Sequence, residues 1–278
     1  MSDPSAPSAP SAPPDLPEHL LLLGCGKMGG ALLAGWLGQG LASEQVTVLD
    51  PAPSTWLLAQ AGVRINPAEL ARPEVALLAV KPQVMGAAAP ALARFAGGGT
   101  LFVSIAAGTP ISAFEAMFGA ATPIVRVMPN TPSAIGQGIS ALIGNASASE
   151  VDLALTESLM AAVGETVRLE TEDQMDAVTG LSGSGPAYVF HLIEAMAAAG
   201  VEAGLPSDLA MRLARVTVSG AGALAAEAEE APAQLRENVT SPGGTTAAGL
   251  AVLMPELTGL MTRTIAAAAE RGRVLSQS

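Results

Sequence analysis

Apolar residues follow two different rhythms along this chain, and the change between them divides it. From Leu20 to about Leu169, short unbroken apolar runs alternate with Ala/Leu-rich stretches of helical period. The runs at 20–23, 45–49, 63–65, 75–80, 100–105 and 124–127 predict strands, and 29–41, 54–61, 85–95 and 111–118 predict the intervening helices. Two more strands, 139–143 and 167–169, flank a helix over 150–163. Runs that are apolar throughout suit strands buried on both faces. The βαβα order therefore implies a parallel sheet covered on both sides.

After Glu170 no strand pattern recurs. Helices are expected over 175–178, 187–199, 207–226, 231–238, 246–253 and 257–275, so an all-helical domain follows a boundary near 168–172. The predicted organisation is an α/β domain over 18–170 and a helical domain over 171–278. Residues 1–17 repeat Ser-Ala-Pro without a periodic apolar face and read as a disordered tail. They lack the basic start and long apolar core of a secretory signal.

The first strand runs straight into Gly24-Cys25-Gly26-Lys27-Met28-Gly29, and a helical segment follows at once. Strand, glycine turn and helix in that order form the opening of a dinucleotide-binding βαβ unit. Gly24 would permit the turn, Gly26 would let backbone approach a pyrophosphate, and Gly29 would let helix and sheet pack closely. The pyrophosphate would lie at the helix N-terminus, where free N–H groups and the helix dipole favour an anion.

In such sheets ligands collect beyond the carboxyl ends of the strands. Asp50, Lys81-Pro82, Ala106-Ala107-Gly108 and Met128–Pro132 all follow directly on strands and would line one crevice with the loop. Asp50 stands where an acid accepts from the adenosine ribose hydroxyls, which favours NADH over NADPH; a turn aspartate before Pro51 fits the position too. Lys81-Pro82 could rest against the nicotinamide ribose, or Lys81 could simply point to water. Asn130, held between prolines, presents an amide to the crevice.

The helical domain carries two uncharged, glycine-rich segments, Ser182-Gly-Ser-Gly-Pro186 and Val239-Thr-Ser-Pro-Gly-Gly-Thr-Thr246. Each sets small residues and hydroxyls before a helix, an arrangement suited to a carboxylate-sized anion as well as to ordinary capping. In the second, Gly243 and Gly244 free several backbone N–H groups together, more than a cap needs.

Composition narrows the field further. Half of the 278 residues are hydrophobic, yet no apolar run approaches the roughly 20 residues that span a bilayer. The net charge is -12 with 13 scattered basic residues, which argues against nucleic-acid binding. One cysteine, Cys25, and two histidines, His19 and His191, supply neither a disulfide framework nor a metal site. A metal-free, cytoplasmic protein is expected.

These motifs together resemble pyrroline-5-carboxylate reductases. The resemblance rests on GCGKMGGAL at 24–32, AVKPQ at 79–83, VSIAAG at 103–108, RVMPNTP at 126–132, GLSGSGPAYVF at 180–190 and LRENVTSPGGTT at 235–246. It implies an N-terminal Rossmann domain and an all-α C-terminal dimerisation domain, with active sites at the dimer interface and dimers assembled into rings such as a decamer. Carried over residue by residue, it implies NADPH or NADH held by Gly24, Gly26, Lys27, Met28, Gly29 and Asp50. Ala79, Val80, Lys81, Pro82, Ala106 and Asn130 complete that site at the nicotinamide end.

The substrate carboxylate would be held by Ser184, Ser241, Gly243, Gly244, Thr245 and Thr246, with Thr246 near the imine nitrogen. Thr246, Ser241 and Lys81 are the catalytic candidates. The implied reaction passes a hydride to C5 of the cyclic imine and yields L-proline. Such a nitrogen is basic enough to arrive protonated, so positioning and electrostatics suffice without a strong acid. Many family members carry Asn, Thr or Arg near position 50, where this chain has Asp.

Three rivals are weighed. A β-hydroxyacid dehydrogenase needs a lysine on its interdomain helix, and no lysine follows Lys81. A short-chain dehydrogenase needs Tyr-x-x-x-Lys, but Leu192 stands four residues after Tyr188. A non-enzymatic nucleotide sensor would have no use for Ser241–Thr246.

Overall fold

The computed structural model describes residues 16–276, so the Ser-Ala-Pro repeat at 1–15 lies outside the described residues. Leu16 and Pro17, which the composition assigns to the tail, are packed instead: Leu16 lies against the core and Pro17 is buried. Two compact units are present, one running through Thr179 and including Gly272 onward, the other spanning Gly180–Arg271.

In the first unit the order is β1 (Leu20–Leu23), α1 (Lys27–Gly38), β2 (Val46–Leu49), α2 (Thr55–Leu58), β3 (Arg64–Ile65), β4 (Val75–Leu78) and α3 (Pro82–Ala88). It continues with β5 (Leu101–Ser104), α4 (Ile111–Phe118), β6 (Ile124–Met128), β7 (Gly138–Gly144), α5 (Glu150–Ala161), β8 (Gly164–Arg168) and α6 (Gln174–Val178). The eight strands form one sheet in the order β3-β2-β1-β4-β5-β6-β7-β8. The reversal on either side of β1 and β4 is the switch point of a doubly wound sheet, where the glycine turn after β1 lies.

The leucine run of β1 is explained by its two neighbouring faces. Leu20 and Leu22 join one core cluster with Leu32 and Trp36 of α1, while Leu21 and Leu23 join a second with Met85 and Phe114. Period-two side chains thus enter two separate cores, and every position must be apolar. Trp36 donates its indole N–H to the Leu159 carbonyl at 2.8 Å, which ties α1 to α5. On the other face Phe118 of α4 stacks on Phe102 with ring centroids 4.2 Å apart.

The sheet is not wholly parallel, as the alternation implies. β7 pairs antiparallel with β6, in the register Val127↔Leu142. A short link, 129–137, holding one 3-10 helical segment over Thr131–Ile135, joins the two without the long crossover that a parallel return needs. β8 then pairs parallel with β7 through the α5 crossover.

The second unit is helical: α7 (Gly185–Glu202), α8 (Ser207–Glu227), α9 (Pro232–Asn238) and most of α10 (Thr245–Ser276). α7 and α8 form a hairpin whose close contact uses small residues. A Cβ on Gly200 would lie 3.2 Å from that of Ala210. The two helices expected over 246–253 and 257–275 are one continuous helix with Pro255 inside it. Proline removes the bond to the carbonyl of Ala251, but the Ala/Leu-rich flanks carry the helix past it.

Candidate active site

The parallel strands β1 to β6 bring their carboxyl ends to one edge of the sheet. Gly24 opens the first turn with φ +89°, and its N–H donates to the Leu49 carbonyl at 2.8 Å. A side chain there would be strained and would meet Val80 Cγ1 at 2.7 Å. Gly29 faces the opposite constraint, since its Cβ would fall 2.5 Å from the Gly24 carbonyl oxygen. Gly26, the N-cap of α1, has open space beside it, with no atom within 4 Å of an added Cβ. Backbone at a long helix's N-terminus is thereby left bare, which fits a pyrophosphate.

Asp50 follows β2 and braces this turn. Its Oδ2 accepts from the Cys25 N–H at 2.7 Å and its Oδ1 from the Ala52 N–H at 2.8 Å. The Asp50 backbone is clamped in turn by Asn66, whose amide donates to the Asp50 carbonyl at 2.7 Å and accepts its N–H at 2.9 Å. Burial, and next the charge of Asp50, push the Cys25 thiol up to about 11, so it stays protonated and inert. Cys25, Gly26, Lys27, Asp50, Ser54 and Trp56 surround an open hollow of about 550 Å³.

Further along the edge, Ala79 and Val80 lie against the Gly24 turn. Lys81 is the exposed N-cap of α3, and Pro82 opens that helix at a position where a missing N–H costs nothing. Ala106 is buried, its N–H donating to Ser104 Oγ at 3.2 Å. Asn130 is partly committed, because its Oδ1 accepts from Ile139 N–H at 3.0 Å and fixes the start of β7. Met28 is half-buried on α1. A second hollow of about 340 Å³ opens beside Pro82, Gln83, Gly108 and Thr109.

In the helical unit, Ser241-Pro242-Gly243-Gly244 forms a tight turn closed by Gly244 N–H to the Ser241 carbonyl at 3.0 Å. Pro242 at the first central position and Gly243 at φ +68° in the second match a type II turn. The turn delivers the chain directly into α10. The N–H groups of its first turn, including Thr245 and Thr246, have no acceptor within the helix. Thr245 and Thr246 are exposed there. Ser184 is the half-buried N-cap of α7 and makes no side-chain cap bond, and Tyr188 donates its hydroxyl to the Gly180 carbonyl at 3.2 Å.

Three residues of the first unit escape the motif reading. Asn66 at φ +47° clamps Asp50, and the Asn-Pro pair at 66–67 is the signal for such a turn. Trp56 lines the larger hollow. Glu172 pairs with buried Arg126 at 2.7 Å and accepts the Ile111 N–H at 2.8 Å, capping α4. An arginine inside the apolar run of β6 demands such a partner.

Comparison with known proteins agrees with this geometry at both ends of the chain. Residues 172–275 match the family described as "Pyrroline-5-carboxylate reductase dimerisation". Residues 19–108 match "NADP oxidoreductase coenzyme F420-dependent". A pyrroline-5-carboxylate reductase of Pseudomonas aeruginosa is 39% identical over 265 residues, covering 93% of this chain and 97% of that one.

Among solved structures, a pyrroline-5-carboxylate reductase from Coxiella burnetii superimposes with a TM-score of 0.87 at 32% identity, over 94% of this chain and 99% of its own. The Plasmodium falciparum pyrroline carboxylate reductase, solved with NADP bound, gives 0.80 at 29% identity, over 93% and 98%. With a Rossmann sheet, a mostly helical dimerisation domain and relatives spanning nearly its whole length, the chain belongs to the pyrroline-5-carboxylate reductase family.

Proposed function

We propose that the chain reduces the C=N bond of 1-pyrroline-5-carboxylate to L-proline, the last step of proline biosynthesis, with NADPH or NADH as donor. The observation that carries this reading furthest is the Ser241–Gly244 turn with Gly243 at φ +68°, which bares the N-terminus of a 32-residue helix. A carboxylate suits that array of N–H groups, and the pyrroline ring carries one. Family membership supports the rest.

When bound, the reduced dinucleotide supplies the hydride that adds to C5, while the C=N electron pair moves to nitrogen. The chain's own work is to bind and orient. Gly24, Gly26, Lys27, Met28 and Gly29 hold the pyrophosphate, and Asp50 takes the adenosine ribose. Ala79, Val80, Lys81, Pro82, Ala106 and the free amide nitrogen of Asn130 frame the nicotinamide end. Ser184, Ser241, Gly243, Gly244, Thr245 and Thr246 hold the carboxylate, and the Thr246 hydroxyl orients the ring nitrogen. The iminium arrives protonated, so no residue need act as a strong acid, and neither glycine-rich segment, Ser182–Pro186 or Val239–Thr246, contains His, Asp or Glu. Lys81 contributes a positive charge at the strand end rather than a proton.

On the same reading the domains meet near residues 170–171, and the working unit is a cytoplasmic homodimer able to assemble into a decamer. The match of residues 172–275 to a dimerisation family supports the dimer. The direct test adds 1-pyrroline-5-carboxylate to protein and reduced dinucleotide and follows the nicotinamide absorbance. Oxidation of at least one dinucleotide with appearance of L-proline is expected. Oxidation of neither ends the reading.

A further inference from the structure

The loop after β5 is held in more places than a strand-to-helix connection needs. At its start the Ala106 N–H donates to Ser104 Oγ at 3.2 Å, and just past its end the Ile111 N–H donates to Glu172 Oε1 at 2.8 Å. At its apex Gly108 takes φ +70°, and a Cβ there would lie 3.2 Å from Leu275 Cβ in the last turn of α10. Ala106, Ala107 and Gly108 carry nothing larger than a methyl group, so the loop has little side chain of its own to anchor it.

Two of these contacts come from the places where the chain passes between its units. It leaves the sheet unit after Thr179 and returns at Gly272. Glu172 lies just before the departure and Leu275 just after the return. α6 joins the two, because Gly272 is buried and a Cβ on it would fall 3.2 Å from Asp176 Oδ1.

Glu172 reaches further than the loop. The oxygen that accepts the Ile111 N–H also accepts from Arg126 Nη1 at 2.7 Å. Arg126 lies on β6, two residues before Met128, where the chain turns toward Asn130. Pro110, the N-cap of α4, makes no side-chain cap bond, so the acceptor for this first N–H comes from elsewhere in the chain. One carboxylate oxygen thus ties the end of the β5 loop to the strand that delivers Asn130.

We infer that Glu172 is a positioning residue for hydride transfer: seated beside α6 and the last turn of α10, it fixes the Ala106 and Asn130 loops against the nicotinamide. The inference rests on the reductase reading above and deepens it. A misplacement of about 1 Å can cost ~100-fold in rate, and both loops frame the reacting ring.

Two substitutions in the whole chain separate reach from charge. Glu172→Asp keeps a carboxylate for Arg126 but draws the oxygen back by one carbon, whereas Glu172→Gln keeps the reach and loses the charge. A residue needed only to neutralise buried Arg126 tolerates Asp better than Gln, and a residue that holds the loops tolerates Gln better. Turnover is measured with the donor the wild type prefers, per site counted by titration with the matching probe, ADP-ribose or its 2′-phosphorylated form. Glu172→Asp is expected to lower kcat at least ~10-fold and Glu172→Gln distinctly less, with probe affinity the same in all three proteins. The reduced dinucleotide should lose affinity relative to the probe in the same order. Turnover in Asp equal to or above that in Gln overturns the inference, as does probe affinity that falls along with turnover. Should either variant fail to fold, Leu275→Gly decides, since it withdraws the Cβ from Gly108 at an exposed helix end and should lower kcat without changing probe affinity. A wild type that oxidises neither dinucleotide removes the reductase reading, and the relative affinities in Asp and Gln then judge the inference alone.

Discussion

The two units of this chain solve the problem of burying apolar surface in opposite ways. In the sheet unit, Leu20, Leu22, Val48, Leu77 and Phe102 are fully buried, and two clusters enclose both faces of the strands. In the helical unit, only Ala197, Ala210 and Ala214 are buried hydrophobic residues. Phe190, Leu213, Val216, Val252 and Leu260 are exposed there, each by at least 49%. So much exposed apolar surface marks an interaction face, and covering it would help offset the entropy of ordering the helices. The first unit buries its apolar surface within itself, while the second leaves much of its own exposed, in keeping with its match to a dimerisation family.

Replacing Leu257 and Leu260 of α10 together with Glu tests that contrast most severely. Each buried leucine is worth about 1.5–3 kcal/mol, and a buried unpaired carboxylate costs more. The expected result is loss of the dimer by light scattering, with fast amide exchange in α7, α8 and α10 and a sheet that stays protected. A wild-type monomer with well-protected helices would break the comparison.

A smaller effect separates two glycines within the first unit. Gly29→Ala forces a Cβ against the Gly24 carbonyl and should cost about 1–3 kcal/mol of stability. Gly26→Ala meets open space, so the melting temperature should barely move while dinucleotide affinity falls. Equal destabilisation by both would contradict the roles assigned to them. The smallest effect concerns Cys25. Because only the thiolate is nucleophilic, alkylation should stay slow at neutral pH and accelerate as pH rises toward about 11. Asp50→Asn should bring that acceleration to lower pH, but only partly, since burial is the larger cause.

The sequence made the sheet unit legible because its strands are buried on both faces. A run such as Leu20–Leu23 has no other economical fate. Strand direction is different: β7 carries the same residue types whether it pairs parallel or antiparallel, and only the short link from β6 distinguishes them. Pro255 misleads in the other direction, since a proline that breaks most helices is carried here by its flanks. The glycine turn and Ser241–Thr246 stand out as motifs because their backbones need glycine. Glu172 and Asn66 are ordinary surface residues by type and Trp56 reads by type as core, and only their neighbours in space give them work.

The central claim is a division of labour, with the dinucleotide held by the sheet unit and the substrate by the turn before α10. Thr246→Ala tests it most directly. With kcat/KM for 1-pyrroline-5-carboxylate and the dinucleotide Kd measured on the same protein, kcat/KM should fall at least ~10-fold, as loss of one well-placed hydrogen bond predicts, and Kd should not change. An unchanged kcat/KM, or a dinucleotide affinity that falls with it, would contradict the claim.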